Sequence, residues 1–274
     1  MAQRRTGRTI VAEPLTPALL ARLGALEEVP ETPADFRPSG AWVNKYLIFT
    51  CHGYVESGNQ GVGVLRLERS PAESGSGFVF KVRQRIVHDA GHVHEIEALV
   101  RCRGDRLATP VQWRLLNRFE DIDGRELPEL RSEQQGAFDG GELVIDNGGR
   151  QIRPAGATVT SDWGLMEAVQ RLEAQAGLPG GFLMLQGFTV LRAAQRFTAV
   201  RRERVSELAG RPLLRLTQTG RGVLPYDYWL LPEERRLAVV TTGPRAYVLN
   251  DRAEEMLEQR LKDVRARIRR RRRG

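Results

Sequence analysis

The sequence predicts a mainly β protein, a β-rich α+β chain built on a large antiparallel sheet with a few helices, one of them C-terminal. Alternation is the first reason. In "GFVFKVRQRIV", Phe78, Phe80, Val82 and Ile86 share one face while Lys81, Arg83 and Arg85 share the other; in "VQWRLLNRF", Val111, Trp113, Leu115 and Phe119 oppose Gln112, Arg114 and Arg118. A period of two with one apolar and one wet face is the habit of antiparallel strands. The second reason is punctuation. Turn signals such as "CRGD", "DIDG", "DNGG" and "TTGP" recur at hairpin spacing, too closely for βαβ crossovers.

Helical periodicity is confined to a few segments. Residues 16 to 28 read as a short helix with Thr16 as N-cap, Pro17 in the first turn and Leu19, Leu20, Leu23 and Leu26 as one stripe. Three prolines between 29 and 40 make a connector. From 41 the strands begin. They are interrupted by "TSDWGLMEAVQRLEAQAG", a helix over 162–176 with Thr160, Ser161 or Asp162 as cap, Gly177 as stop and Leu165, Met166, Val169 and Leu172 at helical spacing. The apolar run 182–191, "FLMLQGFTVL", fits a short helix or a strand. Near the end, "YDYWLLPEERRLAVVTTGPRAYVLN" reads as a meander, with Tyr226, Tyr228 and Leu230 on one face, Asp227 and Trp229 on the other, and turns at Pro232–Glu234 and Gly243–Pro244. The final helix spans 251–270, with Asp251 and Glu254 as its capping pair and Leu257, Leu261, Val264 and Ile268 as its seam. The organisation expected is a helix and Pro-rich connector over 1–40, a single β domain over 41–250 with a helical insertion at 162–191, and an amphipathic helix with an arginine tail over 251–274.

The chain is 41% hydrophobic and 28% charged, ordinary for a globular protein, and no apolar run approaches the ~18 residues of a membrane span. The N-terminus carries basic residues without an apolar h-region behind them, so no export signal is expected, although a mature exported chain would look the same. The net charge of +8 is concentrated in residues 260 to 274, which hold nine basic residues and one acid; the remaining 259 residues are balanced, 33 against 33. Contact with anions, weak and non-specific, is therefore expected of Arg269, Arg270, Arg271, Arg272 and Arg273 alone. The bland reading is a solvated tail that the fold does not need. Two cysteines, Cys51 and Cys102, both in strand-like segments, allow one bridge or two buried thiols.

Catalytic motifs are scarce. There is no G-x-S-x-G elbow, no P-loop and no G-x-G-x-x-G opening a helix. Asp121 and Asp123 in "EDIDG" suit a tight turn better than a calcium loop. In "HDAGHVHEIE", His92 and His94 point to one face of a strand, and with His52 they form the one candidate metal set, a metal-dependent enzyme being one alternative reading. Glu95 and Glu97 fall on the opposite face and His88 lies near a turn, so no ligand set of known spacing is complete and no cofactor is expected.

The hairpin W-L-x-P-x-x-R-R-L, carried by Trp229, Leu230, Pro232, Arg236 and Leu237 after "GRPLLRLTQTGRGVLPYDYWL", resembles bacterial envelope proteins of the periplasmic lipoprotein-carrier (LolA/LolB-like) type and a related uncharacterised family. The resemblance implies a curved antiparallel sheet forming an incomplete barrel, plugged by helices and holding an apolar or lipid-like ligand without catalysis, in the periplasm or cell envelope. On that view Trp113, Met184, Leu185, Phe188 and Trp229 line the concave face. The alternative from another class is a structural or interaction module with a packed sheet whose C-terminal helix docks a protein partner.

Overall fold

Two meanders run outward from a shared centre to form one sheet. The structure, a computed structural model, describes residues 14–51, 59–72, 77–139, 142–146, 150–152, 158–172, 177–204 and 211–271. The first meander comprises β1 (Trp42–Cys51), β2 (Asn59–Pro71), β3 (Gly77–Val87), β4 (His92–Arg103), β5 (Pro110–Asp121), β6 (Ser132–Asp139), β7 (Glu142–Asp146) and β8 (Arg150–Ile152). The second comprises β9 (Val159–Ser161), β10 (Gly180–Gln186), β11 (Val190–Arg204), β12 (Pro212–Thr219), β13 (Tyr226–Leu230), β14 (Leu237–Thr241) and β15 (Arg245–Leu249). β1 pairs with β15, so the order is β8-β7-β6-β5-β4-β3-β2-β1-β15-β14-β13-β12-β11-β10-β9, a 15-stranded sheet. Its pairs are antiparallel except β9 with β10, a short parallel contact. Among the described residues three α-helices accompany it: α1 (Pro17–Arg22), α2 (Asp162–Arg171) and α3 (Ala253–Arg271). The turn signals at 52–58, 73–76, 140–141, 147–149 and 205–210 lie outside the described residues.

The sheet curls until its arms meet. The rings of Trp113 on β5 and Phe188 beyond β10 have centroids 5.2 Å apart, and Trp163 of α2 packs on Phe188 at 5.7 Å. One interior cluster therefore draws on both arms and on α2: Phe78, Phe80, Trp113 and Ile145 from one arm, Phe182, Met184, Phe197 and Tyr228 from the other, and Leu165 and Met166 from the helix. A second cluster lies on the outer face, where Leu47, Phe49, Trp229, Val239 and Val248 pack under α1 and α3. The central strands β14 and β15 are buried on both faces and accordingly read as continuous apolar runs.

Helix α2 occupies the interior and is pinned there by polar groups. Ser161 is its N-cap, accepting from the Gly164 N–H at 2.9 Å. Thr160, the neighbouring cap candidate, instead donates to the Leu107 carbonyl at 2.6 Å. Gln170 accepts from the Leu237 N–H at 3.2 Å and donates to the Met166 carbonyl, while Glu167, wholly buried, takes Arg69 Nε at 2.8 Å and Arg171 Nε at 2.7 Å. The helix stops at Arg171, short of the expected 176, because Leu172 leaves it (φ −67°, ψ 121°) and turns into the interior; residues 173–176 lie outside the described set. The 182–191 run is a strand, β10, followed by a turn into β11.

Three further expectations are corrected. The first helix ends at Arg22, with Gly24 in the left-handed region (φ +70°), so Leu23 leaves the apolar stripe and is exposed. α3 starts at Ala253; Asn250, not Asp251, makes the turn before it, its Oδ1 accepting the Arg252 N–H at 2.8 Å. The arginine-rich end of α3 is not a free tail. Ala253, Leu257, Leu261 and Val264 are buried against the sheet, and Ile268 sits so close to Gly91 that a Cβ there would lie 2.3 Å from its Cδ1. Arg265 donates to the Ile122 carbonyl at 2.8 Å, Arg267 binds Asp89 at 2.5 Å and Arg269 binds Asp123 at 3.2 Å. The seam expected to dock a partner is thus covered by the protein's own sheet. Among the described residues no helix is long and apolar enough to cross a membrane.

Candidate functional site

At the end of the curled sheet where α2 begins, the interior opens into a cavity of about 420 Å³. Its position follows from strand parity. His94 and Ile96 on β4, and Arg245 and Tyr247 on β15, are the inward-facing residues of their strands, since Ala98 and Leu249 continue the same parities into the interior cluster while Val93 and Val248 lie in the outer one. Asp162 and Trp163 enter from the α2 N-terminus, and the turn after β10 closes the remaining side with Gln186, Gly187 and Thr189.

The polar groups converge without saturating one another. Asp162 Oδ1 accepts from the Trp163 N–H at 2.9 Å and Oδ2 from the Gly187 N–H at 3.1 Å. Burial pushes its carboxyl up to about 6, against those two hydrogen bonds and the charge of Arg245, which all favour ionisation. Arg245 makes one long hydrogen bond, Nη1 to Tyr247 Oη at 3.5 Å, and forms no ion pair with Asp162, although the two feel each other through space. His94 stacks on Phe119 with centroids 4.3 Å apart and donates from Nε2 to Asn117 Oδ1. Burial, joined by the Arg245 charge, pulls its pKa below the usual histidine value despite the Asn117 bond.

The residues singled out from sequence fall in several places. Trp113, Met184, Leu185 and Phe188 do come together, but as packed interior, none more than 2% exposed. Trp229 is parted from them, on the outer layer with Arg215 5.2 Å above its ring. The parity reading of Tyr228 and Trp229 explains why, since the two face opposite sides of β13. His92 is exposed at the rim while His94 enters the cavity wall; His52 lies outside the described residues, and among those described no group of three or more His, Cys, Asp or Glu could hold a metal ion. Cys102 is a buried free thiol, its pKa raised by burial and then by Glu167 and Asp105. Asp121 makes a tight turn, its Oδ1 taking the Asp123 and Arg125 N–H groups at 2.9 Å each. Arg269 is ion-paired, Arg270 and Arg271 are exposed, and Arg272 and Arg273 lie outside the described residues.

The W-L-x-P-x-x-R-R-L hairpin has a structural task. Arg235 Nε donates to the Gln170 carbonyl at 3.0 Å and Arg236 Nε to Asn44 Oδ1 at 3.0 Å, tying the end of α2 to the sheet. Sequence reading missed Arg245, Tyr247 and Trp163 as site residues and took Asp162 only as a cap. A signal was present for Arg245, an arginine at the inward parity of a strand that is otherwise apolar.

No family model and no curated protein matches the chain. Among solved structures it is similar to a β-barrel-like protein of a domain of unknown function, DUF1849, from Brucella abortus, with a TM-score of 0.49 and 12% identity over 76% of this chain and 94% of that one. Of the resemblance drawn from residues 229–237, the curved antiparallel sheet is present in the structure; the lipoprotein-carrier relationship finds no support in these comparisons.

Proposed function

We propose that the protein is a non-enzymatic binder of a small polar molecule, held at the mouth of the curled sheet. The observation that carries this reading is the cavity of about 420 Å³ into which Asp162, Arg245 and His94 converge from three different elements. That volume lies within the ~300–1,000 Å³ common to ligand sites, and a few convergent polar groups on a preformed wall are their usual mark. The filled aromatic interior around Trp113 and Phe188 favours a polar ligand in this space over the lipid-like one that the resemblance implies. His94 is engaged by Asn117 and Phe119, so it makes no acid–base pair with Asp162, and this supports binding without chemistry.

The test is a ligand-observed NMR screen of mixed small polar metabolites against the wild type and Thr189→Trp. Thr189 is exposed at the cavity wall, so the indole should obstruct the space without disturbing the core. Compounds bound by the wild type and lost in T189W support the reading. Absence of binding by any class, or binding that T189W leaves unchanged, overturns it.

A further inference from the structure

We propose that the cavity's ligand is a small zwitterion, amino-acid- or betaine-like, whose carboxylate lies against Arg245 and whose ammonium faces Asp162. This rests on the binding reading above and names the ligand class.

The first observation is the state of Arg245. A guanidinium carries five N–H donors, and this one uses a single long bond to Tyr247. Interior arginines elsewhere are paired. Arg69 and Arg171 hold Glu167, and Arg236 donates to Asn44 and to the Glu31 carbonyl at 3.0 Å. A guanidinium facing a cavity with donors to spare matches a planar carboxylate, which accepts two of them side by side.

The second observation is independent of the first. Asp162 takes one backbone N–H on each oxygen, which leaves about half of a carboxylate's acceptor capacity open. No lysine or arginine pairs with it among the described residues. Two unlike charges therefore line one cavity without a salt bridge between them, and both keep hydrogen-bonding capacity that a third body can bridge. A molecule with both charges does so. An anion alone would meet Asp162 as a repelling neighbour, and a cation alone would meet Arg245.

The third observation concerns shape. Trp163 and Tyr247 also line the cavity, and aromatic rings beside a carboxylate suit an ammonium group, methylated or not.

Acidification separates this ligand class from the others. The groups facing Asp162 are Arg245 and Tyr247 on β15 and Tyr226 and Tyr228 on β13, with His94 on β4 across the cavity. Burial keeps the three phenols above their usual range and neutral. Glu133, at the rim on β6, is held by Arg114 at 2.6 Å. As pH falls through about 6, Asp162 is the carboxylate that becomes neutral. Ammonium recognition is then lost, and protonation of His94 acts in the same sense on an ammonium.

The experiment is isothermal titration of L-alanine, L-serine and trimethylglycine, with propionate and propylamine as single-charge controls, at pH 7.5 and pH 5. At least one zwitterion should bind at pH 7.5, with each single-charge control about tenfold weaker or more. Affinity should fall by about tenfold at pH 5. Arg245→Gln and Asp162→Asn should each remove most of the binding, with folding confirmed by circular dichroism; the wild-type panel and its pH dependence decide the matter even if a variant does not fold. Propionate binding as well as alanine, and more tightly at pH 5, would make this an anion site and overturn the proposal. Propylamine binding equally, untouched by R245Q, would do the same. If no zwitterion binds while the NMR screen yields another ligand displaced by T189W, the ligand class is wrong and the binding function stands. If no compound of any class binds, both fall together.

Discussion

The rings of Trp113 and Phe188 touch across the mouth of the sheet, 5.2 Å between centroids, although nine strands separate β5 from β10 in the sheet order. The contact closes an otherwise open sheet. Gln134 on β6 reinforces it by donating to the Phe188 carbonyl. Phe188 holds a left-handed backbone (φ +56°), uncommon for a bulky residue, and its ring is wholly buried.

Phe188→Ala should therefore loosen the two arms from one another. Removing a buried phenylalanine costs about 3–5 kcal/mol. A lower thermal midpoint is expected, with faster amide exchange concentrated in β5, β6 and β10 and not in β1, β14 and β15. Uniform acceleration across the sheet would show that Phe188 acts only through global stability.

Gly136 gives a second test of the same closure. A Cβ built there would meet Trp113 Cζ2 at 2.0 Å, so the indole lies flat on a glycine of β6. Gly136→Ala should push Trp113 toward Phe188 and cost about 1–3 kcal/mol by overpacking. Tryptophan emission should shift as well. Gly124, with nothing within 4 Å of its Cβ position but with φ +89°, is the control. Alanine there should cost backbone strain without changing emission.

Glu167 sits between Arg69 and Arg171 with no exposure. Glu167→Ala leaves two guanidinium groups inside the curled sheet without their partner and should cost about 3–5 kcal/mol. Glu167→Gln keeps an acceptor and should cost less. Urea denaturation of the two variants measures the difference, and equal midpoints would show that the packing of the stem, not the charge, holds α2 in place.

Strand parity made the sheet legible. Phe78, Phe80 and Val82, and Tyr228 against Trp229, fall on the faces that alternation assigns, because each side chain is held by its strand alone. What parity does not carry is how far a sheet curls. Trp113 and Phe188 meet only because twist and bulges accumulate over many strands, so the filled interior and the cavity beside it had no local signature. Asp162 shows the same limit, since a cap residue and a site residue look alike in sequence. The end of the C-terminal helix shows a third limit. Its charge stands out in composition, whereas the partners of Arg267 and Arg269, Asp89 and Asp123, lie far away in the chain.

Ending the chain after Val264 should consequently destabilise the protein instead of leaving it intact. The truncation removes Ile268 from Gly91 and the guanidinium groups from Ile122, Asp123 and Asp89. A partly buried isoleucine and a few partly exposed ion pairs together amount to about 2 kcal/mol, or roughly 4–8 °C in Tm for a chain of this size. Part of the loss should depend on pH. Burial alone would raise the Asp89 carboxyl, but hydrogen bonds from Arg267 and Gln60 and the charges of Arg260 and Arg267 outweigh it and hold it below the usual range. That contribution is present above the unfolded carboxylate's pKa near 4 and disappears as pH falls through the lower folded value, so the full-length and truncated chains should converge in acid.

Asp162 has the opposite linkage. Its folded value of about 6 stands above the ordinary 3.8 because burial disfavours the carboxylate. The folded state therefore holds the proton more tightly than the unfolded chain does. The benefit is complete below the unfolded value, declines as pH rises between the two, and is gone above the folded one. Above pH 6 folding carries a desolvated carboxylate, an unfavourable contribution on the order of 2 kcal/mol once solvent in the cavity is allowed for. Asp162→Asn keeps an oxygen for the Trp163 or Gly187 N–H and removes the charge. The difference in Tm between variant and wild type should be positive near pH 8, shrink through pH 6 and reach its floor near pH 4. A difference that stays flat over this range would mean that water reaches the carboxylate freely, and it would remove Asp162 from the list of groups that the cavity shelters.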